Sequence, residues 1–76
     1  GDGAVWSMDC DFNGSDMGRE QSKGEECGGK CKASNGCTHF SYFDGWCYKK
    51  SGQVSQADAF TKKDVMCGIL NGKVLF

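Results

Sequence analysis

Six cysteines in a chain of 76 residues constrain this sequence more than any other feature. They stand at positions 10, 27, 31, 37, 47 and 67. A domain this small buries only about 60% of the surface that its unfolded chain exposes, and its apolar core rarely supplies more than about 3–5 kcal/mol. Cross-links are expected to make up the difference. Two chemistries are open: zinc held by Cys27, Cys31, Cys37 and Cys47 with His39 nearby, or three disulfides. Structural zinc sites usually offer ligands roughly two to four residues apart at both ends of a loop. Here only the Cys27 and Cys31 end does so, and neither CxxC nor HxxxH occurs. Disulfides are therefore the expected state, and they imply an oxidising compartment, secreted or extracellular. Spacing alone does not choose among the fifteen pairings open to six thiols.

Composition narrows the function. Nine Lys and Arg against ten Asp and Glu give a net charge of −1, so no whole-chain field favours nucleic acid. No apolar run approaches the ~18 residues of a bilayer span, and no charged-then-apolar leader opens the sequence. The chain is thus expected to be a mature or separately expressed piece without a membrane span. One domain is expected over residues 5–70, with 71–76 as a C-terminal extension or last strand.

Local patterns sketch an α+β fold. Val5 to Cys10 alternates as a strand, and Asp11 to Asp16 carries turn chemistry around Asn13-Gly14-Ser15, which is also a glycosylation sequon. Ser22 and Glu25 have capping-box spacing, so a helix is expected to start there. Glu25 and Glu26 near its start and Lys30 and Lys32 near its end suit the helix dipole. Gly28 and Gly29 weaken that helix by about 1 kcal/mol each, which two bridges from Cys27 and Cys31 suffice to offset. Asn35 or Gly36 is expected to end it.

Asp44-Gly45 between two aromatic-rich runs is a hairpin signal, because both residues of a type I′ turn need positive φ. A two-residue loop sets Phe43 opposite Trp46, Ser41 opposite Tyr48 and His39 opposite Lys50 on one face. Tyr42 with Cys47 and Phe40 with Lys49 then share the face that looks toward the helix. A single helical turn is expected over Ala57 to Phe60, a strand over Val65 to Leu70, and a possible last strand over Lys73 to Phe76 after an Asn71-Gly72 turn.

The segments Cys10 to Asp16, Cys27-Gly-Gly-Lys-Cys31, Gly36-Cys37-Thr38-His39-Phe40, Trp46 to Gly52 and Cys67-Gly68-Ile69 together resemble a PAN/apple domain. The likeness runs from about Val5 to Ile69. It implies a small disulfide-rich α+β domain: a twisted antiparallel sheet with one helix packed on it. It also implies the pairing Cys10–Cys67, Cys27–Cys47 and Cys31–Cys37, and a function in binding, since such modules bind proteins or carbohydrates in adhesive and secreted proteins.

The residues themselves argue against an enzyme. Nucleophilic catalysis needs a nucleophile beside a base and an orienting group, and His39 is the sole histidine. Carboxylate neighbours such as Asp9 and Asp11 read as solvated surface, and no calcium-loop pattern follows them, so neither metal nor cofactor is expected. The candidate ligand-binding residues are His39, Ser41, Phe43, Trp46, Tyr48 and Lys50, whose rings with polar tips suit both sugar stacking and protein contacts. Two classes of function follow. One is a secreted recognition module for a glycan or extracellular protein; the other is a small effector, toxin or protease inhibitor, that blocks a partner through a protruding loop over residues 51–63.

Overall fold

The computed structural model describes residues 4–70. The expected last strand over residues 73–76 and the Asn71-Gly72 turn lie outside them. Five strands and one helix follow in the order β1 (Ala4–Phe12), β2 (Asp16–Gln21), α1 (Gly24–Ala33), β3 (Cys37–Phe43), β4 (Trp46–Ser51), a short 3-10 turn (Gln56–Asp58) and β5 (Ala59–Leu70). The strands form one antiparallel sheet in the order β1-β5-β3-β4-β2, with α1 against one face.

The hairpin has the register that its loop length dictates: Phe43 pairs with Trp46, Ser41 with Tyr48 and His39 with Lys50. Asp44 and Gly45 both take positive φ, at 49° and 84°, which matches the twist of the flanking strands. A register shift between Cys37 and His39 lets Cys37 and Phe40 face the helix together, although simple alternation would set them on opposite sides.

Each face of the sheet has its own core. On the helix side, Cys27 and Cys31 from α1 pack with Cys37, Phe40, Cys47 and Leu70. The other face gathers Phe12, Val54, Cys67 and Ile69. The bridges are Cys27–Cys47 and Cys31–Cys37, which fix α1 to the hairpin, and Cys10–Cys67, which crosses between β1 and β5. These are the pairs that the resemblance implies, and every thiol of the zinc alternative is thereby consumed.

Several local expectations need correction. The capping box is absent: Lys23 is the N-cap without a side-chain bond, and the Ser22 hydroxyl donates instead to the Lys23 carbonyl at 2.7 Å. The backbone N–H of Ser22 bonds the Gly45 carbonyl at 2.9 Å, so this residue serves the hairpin turn and not the helix. Bridges are not the only hold on α1. Cys27, Gly28 and Cys31 are buried against the sheet, where the two cysteines pack with Phe40 and Leu70, so side-chain packing adds to the bridges.

Asp11 and Phe12 belong to β1, paired with Phe60 and Ala59, which confines the turn to residues 13–15. β2 has no apolar alternation and was not expected. The helical turn is a 3-10 turn over Gln56–Asp58, while Ala59 and Phe60 already belong to β5. Val54 is buried and β5 takes up residues 59–63, so the segment 51–63 is not the protruding loop that the effector reading named.

Candidate functional site

His39, Ser41 and Phe43 from β3 face Lys50, Tyr48 and Trp46 from β4 on the side of the sheet away from the helix. Exposure changes along this stripe. His39, Ser41 and Lys50 are buried at 3%, 2% and 5%, whereas Phe43 is 45% exposed. The end of β1 causes the difference. Phe12 meets the His39 ring edge-on at 5.0 Å between centroids. The Asp11 carboxylate accepts the Ser41 hydroxyl and, at 2.7 Å, the Phe12 amide. Asp11 is therefore a fixed internal acceptor and not solvated surface.

His39 belongs to this packed end and not to a ligand platform. The Thr38 hydroxyl donates its hydrogen to the Gly52 carbonyl at 2.7 Å and lies 2.8 Å from His39 Nδ1. With that hydrogen committed, the hydroxyl accepts from Nδ1–H, which selects this tautomer of the neutral ring. Burial, reinforced by the nearby Lys50 ammonium, lowers the His39 pKa below its usual value, with Asp58 and Asp16 opposing.

Beyond Ser41 the face opens into a cleft of about 380 Å³. Phe43 and Tyr48 supply its rings; Ser41, Asp11 and Asp16 supply oxygen atoms; Lys50, Lys62 and Lys63 supply ammonium groups; Val65 completes the lining. Lys50 is held by Asp16 Oδ1 at 2.6 Å and donates to the Gly14 carbonyl at 3.1 Å. Lys62 lies 3.8 Å from Asp11 Oδ2, and Lys63 forms no ion pair among the described residues. Three lysines against two aspartates leave the cleft one positive charge in excess.

Lys62 and Lys63 reach this cleft through a backbone irregularity. The partners of β1 on β5 jump from Met66 opposite Met8 to Thr61 opposite Cys10, so residues 62–65 bulge from the ladder. Asp9 and Asp64 both adopt left-handed backbone there, at φ 60° and 68°, and Asp9 Oδ1 accepts the Asp64 amide at 2.9 Å. Short polar side chains that bond locally are those best suited to such backbone.

Four of the six residues expected at the site, Ser41, Phe43, Tyr48 and Lys50, therefore share the cleft. Trp46 does not line it; the Arg19 guanidinium from β2 lies 4.2 Å from the centre of its ring. Sequence reasoning missed Asp11, Asp16, Lys62, Lys63 and Val65. Only the adjacent lysines were visible as a signal, with nothing to say where the bulge would carry them. On the outer edge, Glu20 bridges Lys30 of α1 at 3.2 Å and Lys49 of β4 at 2.8 Å, and these bonds lower its pKa. Among the described residues no cluster of His, Cys, Asp or Glu is placed to hold a metal ion, and no helix is long and apolar enough to cross a membrane. Compared with protein families, curated proteins and solved structures, the chain matches none.

Proposed function

We propose that this chain is a secreted, non-enzymatic recognition module of PAN/apple type that binds a glycan in the cleft beside the β3–β4 hairpin. One observation carries the reading: Phe43 and Tyr48 lie in a concave cleft together with fixed oxygen acceptors and lysine donors. A sugar ring presents an apolar C–H face for stacking and a rim of hydroxyls that both donate and accept hydrogen bonds. Rings beside the exposed Asp16, Lys62 and Lys63, on a floor held by the buried Ser41 and Lys50 and the half-buried Asp11, match both needs. Preformed pockets with a few placed polar groups are also the usual form of small-ligand sites. The three bridges support an oxidising, extracellular setting, and the order of cysteines on a helix-and-sheet fold supports the family. The sole histidine is buried with Nδ1 engaged, which favours binding over acid–base chemistry.

A glycan array probed with the oxidised protein tests this reading beside a Phe43→Ala/Tyr48→Ala variant whose unfolding midpoint is measured in parallel. Binding to a defined set of glycans that falls by about tenfold or more in a folded variant is the expected result, since each lost stacking ring removes roughly 1 kcal/mol or more. No glycan bound, or equal binding by both proteins, overturns it and turns the search to an extracellular protein partner.

A further inference from the structure

We propose that the open edge of β1 docks an extended segment of a protein partner in which an apolar residue is followed two positions later by lysine or arginine. This surface is separate from the glycan cleft. β1 ends the sheet and pairs only with β5, so its other backbone edge has no ladder partner among the described residues. Natural edge strands are usually blunted by lysine, proline or other charges. The opposite edge, β2, carries Asp16, Arg19 and Glu20. From Ala4 to Met8, by contrast, β1 has no charged residue, and Val5, Trp6 and Met8 are exposed at 47%, 52% and 52%.

The helix is tied by its bridges to β3 and β4, which leaves part of the β1–β5 half of that face uncovered. Trp6 and Met8 there line a pocket of about 350 Å³ together with Phe40, Tyr42 and Met66. Its charged lining groups are Glu25 and Asp64, both acidic, and neither forms an ion pair among the described residues. Asp9 adds a third carboxylate beside Asp64. A strand added to β1 satisfies the free backbone edge, and its residues i and i+2 point to the same side. An apolar side chain then fills the pocket while the basic one two positions on meets the carboxylates. A second copy fits less well: its β1 brings Asp9 and Asp11 and no cation to an already acidic rim.

The test uses the Trp46→Phe protein, in which Trp6 is the sole tryptophan. It is titrated with a capped peptide of about eight residues that alternates threonine with leucine and lysine, with the same peptide carrying glutamate for lysine, and with the lysine peptide N-methylated at alternate backbone amides. The expected result is a saturable shift of Trp6 emission, about tenfold or more tighter for the lysine peptide than for either control. A Glu25→Gln/Asp64→Asn variant that retains its unfolding midpoint is expected to lose that preference. Equal binding of the lysine and glutamate peptides, or unimpaired binding of the N-methylated one, overturns the proposal. So does the absence of a saturable response, or an emission shift with protein concentration alone, which would make a second copy the occupant.

Discussion

Gly68 sits in β5 where a side chain has no room, since a methyl built there collides with the ring of Phe40, itself 1% exposed. Phe40 faces Gly28 of the helix on its other side, so relief of the collision requires the ring to shift toward α1 out of its packed position. Gly68→Ala is therefore expected to destabilise the protein by about 1–3 kcal/mol through overpacking, read as a lower urea midpoint at unchanged slope. His39 gives a pH dependence whose sign follows from its lowered folded pKa. The unfolded chain, with a histidine near the ordinary 6.5, takes up the proton more readily. The contribution of the neutral ring is thus present above that value and lost as pH falls through it. Unfolding free energy is expected to decline from about pH 7.5 to about pH 5.5, and His39→Gln is expected to flatten that slope whatever it does to absolute stability. Glu20, lowered by its bonds to Lys49 and Lys30, adds a further loss in acid below about 4.5.

At the scale of elements, what was legible depended on whether the signal was local. The Asp44-Gly45 turn and the alternation beside it fixed the β3–β4 register, and with it Ser41, Phe43, Tyr48 and Lys50 on one face. β2 was illegible because Asp16–Gln21 carries Met17 as its one large apolar residue, and an edge strand can be polar when its ladder with β4 supplies the pairing. The bulge that brings Lys62 and Lys63 to the cleft was illegible too. It depends on Asp9 meeting Asp64 across 55 residues of chain, which no window of sequence contains. The same limit misplaced His39 and Trp46. Alternation gave their face, but the cover from Phe12 and Arg19 is tertiary. If Arg19 shields Trp46 as the 4.2 Å stacking distance indicates, Arg19→Ala raises acrylamide quenching of Trp46 in a Trp6→Phe background. The accompanying loss of stability is expected to be about 0.5–1 kcal/mol.

Across the whole molecule, two thin cores on opposite faces of one sheet are held in register by three bridges that close loops of very different length. In the chain-entropy account their contributions scale with loop length: about 4 kcal/mol for Cys10–Cys67, about 3 for Cys27–Cys47 and about 2 for Cys31–Cys37. Paired Cys→Ala variants are expected to lose thermal stability in that order, and a reversed order would show that packing around the helix outweighs loop closure. This framework presents the cleft beside the β3–β4 hairpin, the proposed glycan site. Its most direct test is titration of the ¹⁵N-labelled, oxidised protein with a glycan selected on the array, followed by amide shift mapping. Saturable shifts gathered at Ser41, Phe43, Tyr48 and Lys62 to Val65 are expected, with their loss in a folded Tyr48→Ala variant. Shifts centred elsewhere, or a Tyr48→Ala variant that binds as the parent does, would contradict the proposed site.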